Sequence, residues 1–358
     1  MTTAVNTHDI DAGQELSRGP VYWWLICVAL LIVVMVVVGG ATRLTDSGLS
    51  ITEWQPIHGV IPPLSEAEWQ EEFDKYKQIP EYQLINKGMS LEAFKTIFWW
   101  EWGHRFLGRF IGLVFIVPLV WFWVTGRLSR QLAPKLLAIF ILGGLQGVVG
   151  WWMVASGLTE RTDVSQYRLA VHLTLACAIF AYVLWVAGGL RRIEPGTQRG
   201  LKVGAALVLA LVFVQIFLGG LVAGLDAGLV SDTWPLMNGH LVPPGLLIME
   251  PVWLNLFENA ATVHFNHRVV GYLLLVAALV HVWQVRGTAH AALAGWLAVA
   301  VLAQAAIGVA NVLAAVPISL AIVHQLGAVV VLALAVANLR AMVPTRAPAA
   351  ESVPAAAA

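Results

Sequence analysis

Charge is what this chain has least of. Only 12% of its 358 residues are Asp, Glu, Lys or Arg, with 21 acids set against 21 bases and no net charge. A soluble domain carries about 25% charged residues, so this composition cannot cover an ordinary water-exposed surface. Without a basic excess there is no electrostatic footprint for nucleic acid. Cysteine is scarce as well. Cys27 and Cys177 both lie inside apolar runs, away from the outer loops where an oxidising compartment would pair them, so they read as small apolar fillers and no disulfide is expected. The first twenty residues lack the marks of a targeting peptide. They hold Asp9, Asp11 and Glu15 against a single Arg18, whereas a secretory signal needs a basic start and a short apolar run, and a mitochondrial presequence avoids acids. They read as a short cytoplasmic tail of a bacterial protein.

Apolar length is what the chain has in excess. Hydrophobic residues make up 59% of it, and runs of about 20 residues, enough to cross a bilayer, recur at about 21–43, 98–125, 134–156, 168–190, 201–223, 258–285, 291–313 and 317–340. The fold class expected is an all-α integral membrane protein with eight transmembrane helices. Arg127, Arg130, Lys135, Arg191, Arg192, Arg199, Lys202 and Arg286 fall in the connections on one side, where Arg18 and Arg340 also lie. The excess of bases marks that side as cytoplasmic, which puts both termini in the cytoplasm and the chain in the bacterial inner membrane. On the outer side two long loops, about 44–97 and 224–257, are expected to lie over the bundle as caps, with 65–78 as an amphipathic piece. The tail after Arg346, APAAESVPAAAA, is low in complexity and is expected to be disordered.

An internal repeat organises these spans. GGATRLTDSGLSITEWQPIHGVIPP from Gly39 corresponds to GGLVAGLDAGLVSDTWPLMNGHLVPP from Gly219, HRFLG at His104 to HRVVG at His267, Gln146 with Gly150 to Gln304 with Gly308, and His172 to His324. The order is kept throughout, as duplication requires. Each half has an even number of helices, so the halves enter the membrane in the same sense, related by an axis along the membrane normal. The division expected is a tail at 1–20, a first four-helix bundle at 21–190, a cytoplasmic linker at 191–200, a second bundle at 201–340 and a tail at 341–358.

Four histidines stand inside these spans: His104 and His172 in the first half, His267 and His324 in the second. A histidine within a membrane helix is costly and marks a functional site by default. A matched pair in each bundle suits the two axial positions of a haem iron, whereas zinc wants three or four N, S or O ligands, and no such cluster is present. At i+4 from the histidines stand Gly108, Ala176, Gly271 and Ala328, clearance for a flat macrocycle or ordinary small-residue helix packing. Arg105 and Arg268 follow two of the histidines, where they would pair with haem propionates or snorkel to lipid headgroups. Glu101 stands three residues before His104, but His264 holds the corresponding place before His267. A carboxylate there is either a general base beside a substrate or an interfacial group in a belt formed with Trp99, Trp100 and Trp102. Its presence in one half only suggests that one site reacts and the other does not. Gln146 and Gln304 read as hydrogen-bonding across helices, His281 and His290 as solvated near the cytoplasmic face, and His58 and His240 as parts of loop packing.

EWGHRFLGR from Glu101, His172, HFNHRVVGY and TWPLMNG together resemble haem A synthases, over nearly the whole chain and nearest to the alpha-proteobacterial and mitochondrial branch. The resemblance implies an oxidoreductase that converts haem O to haem A, oxidising a porphyrin methyl group to formyl for cytochrome oxidase through two successive hydroxylations and loss of water from a geminal diol. It implies His104 and His172 as ligands of the substrate haem, His267 and His324 as ligands of a haem B that relays electrons, and Glu101 as the catalytic carboxylate. Haem O synthase and an electron donor are the implied partners, and a homo-oligomer stays open. The outer-loop cysteine pair of some members is absent, so its redox role does not carry over. With two histidines on the substrate iron, no coordination position is left for oxygen: either one histidine leaves, or the methyl group is oxidised by electron removal and trapped by water, and the second course, with Glu101 taking the proton, is the one expected. A di-haem membrane electron carrier without chemistry on haem is the alternative; it explains the four histidines but not the solitary Glu101. A transporter of another substrate, suggested by the repeat alone, would show no Soret band.

Overall fold

A computed structural model describes residues 7–190 and 199–343, with side chains from residue 19 and again from residue 200. Their regular structure is helical: α1 Thr7–Leu44, α2 Glu66–Tyr76, α3 Pro80–Leu84, α4 Leu91–Val124, α5 Ala133–Val154, α6 Gln166–Gly188, α7 Arg199–Gly224, α8 Asn255–Glu258, α9 Ala260–Val285, α10 Ala291–Leu313 and α11 Ile318–Ala341. Among the described residues eight helices are long and apolar enough to span a membrane: α1 from Gly19, α4, α5, α6, α7, α9, α10 and α11. They fall where the apolar runs lie. The two largest differences are polar extensions that hydropathy does not register. One carries α1 back through Pro20 to Thr7, within the expected tail. The other starts α4 at Leu91, where the Ser90 hydroxyl accepts the Ala93 N–H and caps the helix. Of the expected linker and terminal tail, 191–198 and 344–358 lie outside the described residues.

In the first half α1 packs on α4 and α6, and α5 packs on α4 and α6. In the second, α7 packs on α9 and α11, and α10 on the same two helices. The same scheme is therefore built twice from corresponding spans. The halves meet along α6–α7, α6–α11 and α1–α11. Small residues let the backbones close up: a Cβ on Gly220 would lie 2.7 Å from the Ala170 Cα, and one on Gly224 would lie 2.6 Å from the Gln166 Cα. One apolar core runs through both halves, with Leu25, Val183, Val208 and Leu332 among its buried members. Polar contacts lock the seam, Gln325 Nε2 donating to the Val36 carbonyl (2.8 Å) and Arg43 pairing with Asp226 (3.1 Å). The large apolar side chains left outside, such as Leu113, Trp121 and Val276, suit a lipid surround.

The loop between α1 and α4 folds into a cap. Ser65 and Glu68 close a capping box at the start of α2, and Trp69, Phe73 and Tyr76 pack on Phe94 and Phe98 of α4. Glu81 is buried beneath the cap, accepting from the Tyr76 hydroxyl at 3.2 Å. Burial pushes its carboxyl up to about 8. Folding therefore takes up a proton at any pH between the ordinary carboxylate range and 8. The cap is firmest below that window and weakens as pH rises through it. Glu81→Gln should flatten this dependence and raise the hydrogen-exchange protection of α2 and α3 at pH 8; a wild-type slope retained in the variant would contradict it.

His281 is not solvated: it is buried, its Nε2 lies 3.1 Å from Asn338 Oδ1, and it packs against Gly204 of α7. Its place near a helix end suggested water, but the helical phase turns it inward.

Candidate functional site

The four histidines lie on four different helices, and each rests against a glycine of a neighbouring helix. A Cβ on Gly39 (α1) would come within 3.0 Å of the His104 ring, and one on Gly150 (α5) within 2.9 Å of His172. On Gly219 (α7) it would come within 3.3 Å of His267, and on Gly308 (α10) within 2.8 Å of His324. Each glycine thus clears space for an imidazole between helices. His172, His267 and His324 sit about two turns from the starts of α6, α9 and α11, at the capped end. His104 is farther along α4 because that helix begins within the cap.

In the second half the His267 and His324 rings face each other, with centroids 6.5 Å apart and planes at 75°. Two metal–imidazole bonds of about 2 Å plus the radius of each ring account for a separation of that size. Among the described residues no group of three or more His, Cys, Asp or Glu is placed to hold a bare metal ion. The donor set therefore fits a metal that brings its own equatorial ligands, as an iron porphyrin does.

Glutamine amides back three of the four imidazoles. Gln146 Nε2 lies 3.1 Å from His172 Nδ1 and donates to the His172 carbonyl at 3.0 Å. Gln304 repeats this on His324, at 3.1 Å from Nδ1 and 2.7 Å to the carbonyl. Gln215 approaches His267 Nε2 at 3.2 Å and its carbonyl at 3.0 Å. In all three glutamines Oε1 is buried without a partner. Gln215 joins the candidate site without having been among the residues singled out from the sequence. Its signal is nonetheless present, since Gln-x-x-x-Gly occurs at Gln146–Gly150, Gln215–Gly219 and Gln304–Gly308, with the glycine one turn on and facing the same way.

The two halves diverge in front of the first histidine of each pair. Glu101 is buried, and its carboxylate accepts three hydrogen bonds: Ser50 Oγ (2.7 Å) and the Ile51 N–H (2.8 Å) on Oε2, and Arg105 (2.6 Å) on Oε1. Arg105 also donates to the carbonyls of Ile51 (2.8 Å) and Glu53 (3.1 Å), while Arg109, one turn on, donates to those of Pro56 and Gln55. This stripe on α4 fastens the cap loop. In the second half His264 Nε2 accepts from Arg268 Nε at 3.1 Å. Both terminal nitrogens of Arg268 are buried without a partner. A desolvated guanidinium with a free fork is matched to a carboxylate brought by a ligand, whereas both terminal nitrogens of Arg105 are already engaged by Ile51, Glu53 and Glu101.

The chain matches, over residues 22–336, the family model described as COX15-CtaA, cytochrome oxidase assembly protein. Among curated relatives, the heme A synthase of Parvibaculum lavamentivorans is 59% identical over 88% of this chain and 92% of its own length. That of Brucella anthropi is 56% identical over 92% of this chain and 93% of its own. That of Chelativorans sp. is 59% identical over 89% and 90%.

Proposed function

Because the chain belongs to the COX15-CtaA family of cytochrome oxidase assembly proteins, we propose that it is a haem A synthase, an oxidoreductase that converts haem O to haem A. The observation that carries this reading is the buried, three-fold hydrogen-bonded Glu101 one helical turn from His104, in the first half only. The second half, with His264 in that place, would do no chemistry on a methyl group.

In this reading His104 and His172 would hold substrate haem O, and His267 and His324 would hold a haem B, with the free fork of Arg268 available to a carboxylate of that group. Haem B, when bound, supplies one-electron redox chemistry. The chain's own residues do the rest. Gly39 and Gly150 leave room for the two substrate ligands. The cap loop lies over Glu101 through Ser50 and Ile51. The Glu101 carboxyl group, in hydrogen-bond contact with Arg105, takes the proton of the water that adds to the oxidised methyl carbon. Conversion of the methyl group to formyl consumes one water overall and releases four electrons and four protons. On this course the redox partner is an electron acceptor; a donor belongs to the course in which molecular oxygen is activated. Haem O synthase is the natural supplier of substrate. The basic connections support a reading with both termini in the cytoplasm and the caps on the outer face of the inner membrane.

The test is pigment extraction from cells that supply haem O, with and without the chain. Haem A appearing only with the chain is the expected result. Bound haem with no haem A would favour the di-haem carrier. Oxygen origin is read by the same extraction in labelled water, where label in the formyl group after rapid work-up is expected.

Gly308→Val should displace the His324 ring and cost the second half most of its haem, leaving haem O binding by the first half intact. Absorption spectra of the purified variant check this, and unchanged occupancy of the second half would contradict it.

A further inference from the structure

Three of the four glycines beneath the imidazoles are preceded, one turn back on the same helix, by the glutamine that backs the ring. The fourth is not: four residues before Gly39 stands Met35. The repeat maps Met35 onto Gln215, and the structure places them alike. A Cβ on Gly108, one turn after His104, would lie 3.4 Å from Met35 Cε. A Cβ on Gly271, one turn after His267, would lie 3.4 Å from Gln215 Nε2. The thioether and the amide thus fill one niche in the two halves. Among the described residues the His104 ring has no hydrogen-bond partner.

We infer that Met35 and Gln215 set how firmly each half keeps its haem: Gln215 makes the second site a retaining one, and Met35 makes the first a site that lets its haem go. This rests on the haem assignment above. An imidazole that binds metal through one nitrogen carries N–H on the other, and an acceptor for that N–H orients the ring and raises its basicity. As placed, the Gln215 amide orients the His267 ring through Nε2, which lies 3.2 Å from the ring Nε2 and donates to the His267 carbonyl at 3.0 Å; with metal on the imidazole, the amide gives up that carbonyl and turns its unpartnered Oε1 to the ring N–H. A methionine sulfur is a weak acceptor and makes no such contact with His104. Of the four ligands, His104 alone therefore lacks an amide that orients its ring. A substrate site must exchange haem at every turnover and a relay site must not, and the single exception to the pattern falls in the half that carries Glu101.

Full-length protein loaded with haem, transferred into excess apomyoglobin as scavenger, reads both rates. Gln215→Met should speed loss from the second site by about 10–100-fold, the usual effect of removing a residue that supports a metal ligand. Met35→Gln should slow loss from the first site by a similar factor. Gln215→Glu, a stronger acceptor, should keep loss slow and lower the reduction potential of the second site, a shift that a packing role alone would not produce. Haem retained at wild-type rates in both Gln215→Met and Met35→Gln would overturn the inference while leaving the haem assignment standing. Absence of any haem from the wild-type chain would overturn both.

Discussion

Glu101→Gln should cut haem A formation by at least about 100-fold, the usual range for loss of a positioned general base, with haem still bound. The amide keeps the shape of the side chain and can still accept from the Ser50 hydroxyl and the Ile51 N–H, which now meet Glu101 at 2.7 and 2.8 Å. What it loses is the ability to take a proton and the ion pair with Arg105 at 2.6 Å. The same geometry allows a second role, since Glu101 and Arg105 fasten the cap loop to α4. Ser50→Ala separates the roles. It removes one loop bond, worth about 1–3 kcal/mol if a buried partner is left unsatisfied, and leaves the carboxylate in place. If the carboxylate works as a base, Ser50→Ala should lower the rate only several-fold. Equal losses in Ser50→Ala and Glu101→Gln would make Glu101 a tether and not a base. Glu101→Gln with wild-type turnover would remove it from the chemistry altogether.

The second large effect concerns the ligands. His104→Ala and His267→Ala should each abolish stable haem binding in their own half and leave the other half occupied. The halves share a core along α6, α7 and α11, but each imidazole has its own glycine, and His267 faces His324 of the same half at 6.5 Å. His104→Ala should therefore remove haem O binding and spare haem B, and His267→Ala the reverse. Haem A yield should fall to background in the first variant. Loss of one and the same haem in both variants would contradict separate sites.

How much of this was legible from residues alone follows from which physical signals are one-dimensional. Eight apolar runs gave the eight spans because bilayer thickness sets helix length, and α10 falls on the expected 291–313. The polar extensions of α1 and α4 were not legible, since nothing apolar marks them. Among the site residues, the four histidines stood out because ionisable groups inside spans are rare. Their glycine seats and the 6.5 Å approach of His267 to His324 depend on how helices pack, which no single run encodes. Glu101 was visible as an asymmetry between halves, but its partners Ser50 and Ile51 come from a loop fifty residues away, and only the folded cap brings them to it. Gln215 is hidden in the repeat because its counterpart in the first half is Met35, a mismatch. The burial of His281 is set by rotational phase, which depth along a helix does not report.

The central claim is that opposed imidazoles, one couple in each half, hold iron porphyrins. Near-infrared magnetic circular dichroism of the ferric wild-type protein, compared with His324→Ala, tests it most directly. Bis-imidazole low-spin signal from the second half, lost in the variant, is the predicted result. A histidine–methionine or high-spin signal in the wild type, or one unchanged in His324→Ala, would contradict it.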